Sequence, residues 1–186
     1  GADSDFQLQR KVSNVVLAMR RCPQPIIALV HGAATGGGFS LALAADIRIA
    51  GLSARMNCAF IKIGLSGADM GTSFHLPRLV GTCNAAALMY TGRFIDAVKA
   101  ERIGLVNDAV ADEEMLEVAQ EYIQGMLATA PLGLRLTKEA LNAATDAPSL
   151  TATLAVEDRN QVMTLNTPDL TEGLAAFREK RAPSWG

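Results

Sequence analysis

Pro25-Ile26-Ile27-Ala28-Leu29-Val30-His31-Gly32-Ala33-Ala34-Thr35-Gly36-Gly37-Gly38-Phe39-Ser40-Leu41-Ala42-Leu43-Ala44-Ala45-Asp46-Ile47-Arg48-Ile49-Ala50 decides the fold. An apolar run of strand length leads into three consecutive glycines, and a helix-like apolar segment follows them. Asp46 to Ala50 then alternates polar and apolar residues, as a second strand does. Strand, glycine turn, helix and strand in this order predict a parallel βαβ crossover. Glycines let a backbone turn tightly and let a ligand reach the amides, because no Cβ stands in the way. The first amides of the helix have no intrahelical partner and are free to donate to an oxygen or an anion.

Working outward, residues 5–21 predict an amphipathic helix with Leu8, Val12, Val15, Val16 and Met19 on one face, stopped by Pro23 and Pro25. A third strand is expected over 54–57. Residues 60–68 read as a loop, with a helix starting near Asp69. Beyond Thr82, helices are expected over 83–90, 96–103, 112–128, 131–144, 148–163 and 168–178, with one strand near 105–110. Asp112, Glu113 and Glu114 suit the positive end of the 112–128 helix. Thr167-Pro168 marks the start of the last helix, a cap followed by proline at the first helical position. The front of the chain is α/β and the back helical.

The 186 residues are enough for a substantial core, and 49% of them are hydrophobic but only 5% aromatic, so Ala, Leu, Val and Ile fill it. A net charge of −2 gives no electrostatic reason to expect nucleic acid or an anionic membrane as partner. No metal-ligand spacing is present, and three cysteines form no complete disulfide framework, which favours a reducing cytoplasmic location. The apolar stretch 26–51 is interrupted by His31, glycines and Asp46, so it reads as buried core rather than a membrane span. The N-terminus has no basic region followed by an apolar one and so does not read as a signal peptide.

Several short motifs, in order along the chain, resemble the crotonase superfamily, also called the enoyl-CoA hydratase/isomerase family. They are Gly1-Ala2-Asp3, the Pro25–Gly38 stretch, Asp46-Ile47-Arg48-Ile49-Ala50, and Leu76-Pro77-Arg78-Leu79-Val80-Gly81. Further on come Tyr90-Thr91-Gly92-Arg93, Ala100-Glu101-Arg102-Ile103-Gly104-Leu105-Val106-Asn107, and Glu172-Gly173 with Ala176-Phe177-Arg178-Glu179-Lys180-Arg181. Each is weak alone; the set is specific. The resemblance implies a crotonase-like ββα spiral core with a helical C-terminal region, divided as an acyl-CoA-binding core over 1–110 and an oligomerisation region over 111–186. It also implies a longer natural protein, with first sheet strands and part of the CoA site ahead of Gly1.

Family members hold an acyl-CoA thioester so that two backbone amides donate to its carbonyl oxygen. By motif, those donors are the amides of Ala2 and Gly37, an oxyanion hole aimed where negative charge develops. Glycines that merely allow close helix–strand packing are the structural alternative. A phosphate loop is disfavoured, since no Lys-Ser/Thr follows the glycines. Hydratases of the family use two glutamates; the matching positions here are Ser40 and Phe60, which argues against that mechanism. Asp69 resembles the aspartate that dienoyl-CoA isomerases and 4-chlorobenzoyl-CoA dehalogenase use, and it becomes the candidate catalytic carboxylate. Its alternative is a helix N-cap.

Gly36, Ser40 and Phe60 are expected to line the substrate, and Phe177 and Lys180 to contact the CoA nucleotide. Asp46 and His31 read as structural. The resemblance implies an acyl-CoA thioester as ligand, no cofactor beyond the substrate's own CoA, and assembly into homotrimers or hexamers. Two other functions stay open: a non-catalytic acyl-CoA binding protein and a CoA-thioester hydrolase.

Overall fold

The computed structural model describes residues 1–186. It contains two compact units, Gly1–Ala119 and Gln120–Gly186. The chain opens with helix α1 (Ala2–Arg21), followed by strands β1 (Ile27–Val30) and β2 (Ala33–Thr35), helix α2 (Gly37–Ala44), and strands β3 (Ile47–Gly51) and β4 (Arg55–Asn57). A 3-10 turn at Ala59–Ile63 leads towards helix α3 (Thr72–Thr91). Then come β5 (Ile95–Asp96), α4 (Ala97–Arg102) and β6 (Asp108–Val110). After a 3-10 turn at Asp112–Glu114 follow helices α5 (Met115–Leu127), α6 (Pro131–Asp146), α7 (Leu150–Leu165) and α8 (Pro168–Glu179).

The expected crossover is present: β1 and β3 pair in parallel with Ile27 opposite Ile47, and α2 connects them. β6 adds in parallel on the other side of β3, giving the order β1-β3-β6. A second small sheet, β2-β4-β5, pairs β2 and β4 in parallel and β4 and β5 antiparallel. Neither β2 nor β5 is legible in the sequence, because three and two residues are too few to show a period. The 3-10 turn at Ala59–Ile63 also falls where a loop was expected, and the helices predicted near 69 and over 83–90 are one element. Helix α3 starts at Thr72 and is broken at Gly81, whose φ of 74° is not helical.

Helix α2 is apolar all round except for Ser40, which is why it has no readable face and why it must be buried on several sides. Phe39, Ala42 and Leu43 enter the main core with Val30, Met56, Leu76, Val80 and Leu88. Ala44 and Leu41 meet Val12, Val16 and Met19 of α1, together with Met70. Two polar residues tie the crossover down. Asp46, read as structural, accepts from Arg20 Nη1 at 2.9 Å and from the amide of Ile26 at 2.8 Å. The guanidinium of Arg48 is buried and donates to the carbonyls of Leu105 and Ala45, fastening β3 to the segment that becomes β6. Its desolvation disfavours the charge and pulls its pKa down, and those carbonyls are the compensating acceptors.

In the C-terminal unit, α6 packs on α7 and α7 on α8. Pro131 and Pro168 occupy first helical turns, as proline should. Thr167 precedes Pro168 but does not cap with its side chain; its hydroxyl donates to the Thr164 carbonyl instead. The residues after α8 fold back on it. Arg181 grips both oxygens of Glu172 at 2.6 and 2.9 Å, and the Ser184 amide donates to the same carboxylate at 2.7 Å. Trp185, the one tryptophan of the chain, then lies against Gly173.

Arg181 and the Ser184 amide hold the Glu172 carboxyl at about 2, below its ordinary 4.5. A carboxyl lowered by folding stabilises above its unfolded value and loses that contribution as pH falls towards its folded one. The fluorescence of Trp185 should therefore stay constant from neutral pH down to about 4.5 and change between 4.5 and about 2 as the clip opens. Glu172→Gln should bring the change on at neutral pH. A wild-type transition above pH 5 would overturn this assignment.

Candidate functional site

Parallel pairing of β2 with β4 puts Thr35 opposite Asn57, so the two strands end side by side. The chain leaving β2 reaches Gly36 and Gly37; the chain leaving β4 reaches Phe60. Gly36 donates its amide to the Asn57 carbonyl at 3.1 Å and adopts φ 52°, ψ −115°. That backbone suits glycine and few others. The space is taken as well: a Cβ on Gly36 would stand 3.1 Å from the Phe60 ring. Phe60 thus lies edge to backbone against the turn, half-buried.

The first intrahelical bond of α2 is from the Ser40 amide to the Gly36 carbonyl at 2.9 Å. The amides of Gly37 and Gly38 lie ahead of it without intrahelical acceptors, at the positive end of the helix. Ala2 likewise starts a helix, as the first residue of α1. Ser40 is fully buried, not a surface contact for a ligand. Its hydroxyl meets Thr72 Oγ1 at 2.8 Å, the Gly36 carbonyl at 3.1 Å and the Asp69 carbonyl at 3.4 Å. It fastens α2 to the Asp69 loop and to the start of α3.

Asp69 is half-buried beside this turn and is not a helix N-cap: α3 starts after Gly71, and the Asp69 carboxylate accepts from the Met70 amide at 2.7 Å. Gln9 of α1 donates to the same carboxylate oxygen, Oδ1. Met70 has φ 49°, a left-handed conformation that costs about 1 kcal/mol or more outside glycine. Its side chain offsets that cost by burial between α1 and α2, with Sδ 3.5 Å from where a Gly37 Cβ would be. The loop is anchored further back at Gly67, where a Cβ would collide with the Met89 carbonyl at 2.5 Å. Gln9, Met70 and Thr72 are the residues that sequence reading missed. None follows a local pattern, since their partners lie far along the chain.

The structure thus brings together Gly36, Gly37, Ser40, Phe60 and Asp69. Phe177 and Lys180 belong to the C-terminal unit, at the end of α8, where Phe177 is 83% exposed and Lys180 closes the helix with φ 53°. Cys58, two residues before Phe60, is no nucleophile, because burial pushes its thiol up to about 11. No group of three or more His, Cys, Asp or Glu side chains is placed to hold a metal ion. No helix is long and apolar enough to cross a membrane.

The two glycines of the turn should respond differently to a methyl group. Gly36→Ala meets both the unfavourable φ and the Phe60 ring, and should lower unfolding free energy by about 2 kcal/mol or more. Gly37→Ala meets only ordinary contact with Met70 and should cost under about 1 kcal/mol. Urea unfolding of both variants measures this; equal losses would contradict it.

Comparison with known proteins bears on what this site is for. A 43% identical relative is the "Probable enoyl-CoA hydratase" of Mycobacterium tuberculosis, aligned over 92% of this chain and 61% of its own length. The mouse mitochondrial methylglutaconyl-CoA hydratase is 34% identical over 94% of this chain and 56% of its own. Among solved structures, a probable enoyl-CoA hydratase/isomerase from Mycobacterium abscessus superposes with a TM-score of 0.95 at 38% identity, covering 99% of this chain and 70% of that one. The chain therefore spans about 60% of the length of the curated relatives it matches. The family model described as Enoyl-CoA hydratase/isomerase matches residues 2–186. With that match, and a crotonase-like α/β fold shared at this similarity, the chain belongs to the enoyl-CoA hydratase/isomerase family.

Proposed function

We propose that this chain carries the catalytic turn of an acyl-CoA enzyme that moves a proton next to a thioester carbonyl. The amides of Ala2 and Gly37 donate to the carbonyl oxygen, and Asp69 takes and returns the proton. The observation that carries this reading is the Ser40 hydroxyl, which reaches the Gly36 carbonyl at 3.1 Å and the Asp69 carbonyl at 3.4 Å and so ties the loop bearing Asp69 to the first turn of α2. Donors aimed at a developing oxyanion make the α-proton of a thioester more acidic, and removing one such donor costs on the order of a hundredfold in rate. A single carboxylate can then carry a proton from one carbon to another, which is isomerisation of an enoyl-CoA or dienoyl-CoA.

Two-acid hydration is disfavoured by the residues at the other two positions. Ser40 is enclosed and bonded to protein, and Phe60 presents a phenyl ring to the turn. Hydration with Asp69 alone as acid and base is the second reading, favoured by the hydratase names of the relatives. A homotrimer or hexamer is the assembly we infer, supported by apolar side chains left exposed in the C-terminal unit, among them Leu150, Val162 and Leu174. The exposed ring of Phe177 and the ammonium of Lys180 are suited to the nucleotide of CoA, a base to stack and phosphates to pair. A cytoplasmic location fits the free thiols of Cys22, Cys58 and Cys83.

Asp69→Asn, isosteric and without a titratable proton, should lower turnover by about a hundredfold or more on whichever enoyl-CoA or dienoyl-CoA of a panel the wild type converts. Unchanged turnover would remove Asp69 from the mechanism. Release of free CoA thiol would mark a thioester hydrolase, and tight thioester binding with no conversion would mark a carrier protein.

A further inference from the structure

We infer that Gln9 is a positioning residue for the Asp69 carboxylate: its amide and the Met70 backbone N–H hold one oxygen, Oδ1, so that the other, Oδ2, faces the reacting carbons. This rests on the role proposed for Asp69. Both donors converge on the same atom, Gln9 Nε2 from α1 and the Met70 amide, at 2.7 Å, from the loop. A carboxylate with two donors on one oxygen cannot rotate about its Cβ–Cγ bond without losing both, so its second oxygen is presented in one orientation. Proton transfer is sensitive to that orientation, because the acceptor oxygen must come within hydrogen-bond reach of the carbon-bound proton.

Helix α1 gives this link a further consequence. Ala2 and Gln9 are seven residues apart, nearly two full turns, so they lie on almost the same face and about 10 Å apart along the axis. One rigid helix thus carries the proposed oxyanion donor at its start and the carboxylate's clamp two turns on. Val12, Val16 and Met19 of the same helix pack with Met70, so the loop bearing Asp69 is tied to α1 by both apolar and polar contacts. Gln9 itself is exposed. Alanine at an exposed helical position favours the helix, so Gln9→Ala removes the link to Asp69 while leaving α1 itself intact.

The test is Gln9→Ala compared with the wild type and with Asp69→Asn. Two measurements are needed: initial-rate kinetics on the converted enoyl-CoA or dienoyl-CoA, and NMR of the Asp69 Cγ resonance in 13C-aspartate-labelled protein. Gln9→Ala should lower kcat about tenfold while KM stays within about twofold, the pattern of an interaction that matters in the transition state. The Asp69 Cγ resonance should shift as well. A loss confined to KM, or an unmoved Cγ resonance, overturns the inference whatever the rate. Asp69→Asn with unchanged turnover, alongside a Cγ shift in Gln9→Ala, would instead refute the site's proposed chemistry and leave the clamp standing.

Discussion

The turn from β2 into α2 exists only because Gly36 has no side chain. Its backbone is in a region that L-residues avoid, and the Phe60 ring fills the place where a Cβ would go. This one vacancy lets the helix start directly at the end of a strand. It also sets the direction of α2, with its unsatisfied amides at the carboxyl end of the β2–β4 pair. Ligands of α/β folds bind at such strand ends, where helix N-termini and loops converge.

Around that turn the fold is built to keep a short helix in place. Helix α2 has eight residues and no charged side chain, so its own propensity does little for it. What holds it is burial on both sides, against the main core through Phe39 and Leu43 and against α1 through Leu41 and Ala44. Ser40 adds a polar tie from inside, reaching three oxygen partners from one hydroxyl. Strain at Met70 is tolerated because the same side chain that adopts the left-handed conformation is anchored in the α1–α2 contact. Asp69 is thereby placed by packing rather than by capping a helix.

The pattern of carboxylates separates ligand class from reaction. Free amides at a helix start are suited to any developing oxyanion. The acid and base groups are a different matter. Ser40 is enclosed and bonded to protein, and the Phe60 ring lies against the turn. Placing an ionised glutamate at position 40 would bury a charge among Thr72, Phe39 and the Gly36 carbonyl, which costs several kcal/mol unless it is paired. Both residues are consistent with the proposal that Asp69 alone handles the proton.

The parallel crossover, the glycine turn, the helical C-terminal half and the family were all legible in the sequence. Each is written in local order: an apolar run, three glycines, alternating strand residues and proline start signals. The structural role of Asp46 was legible too, because an acid between a helix and a strand has little to do but pair. Strands β2 and β5 were not legible, since a strand of two or three residues is defined by its partner rather than by its own pattern. The same limit hid Gln9, Met70 and Thr72. Gln9 looks like any polar residue on an exposed helix face until α1 is laid across a loop sixty residues away. Asp69 could be read as cap or catalyst from the sequence. Tertiary structure removed the cap, because the helix starts three residues later and the carboxylate turns to Gln9 and the Met70 amide. Local order determined what kind of turn this chain builds; long-range packing decided which side chains stand around it.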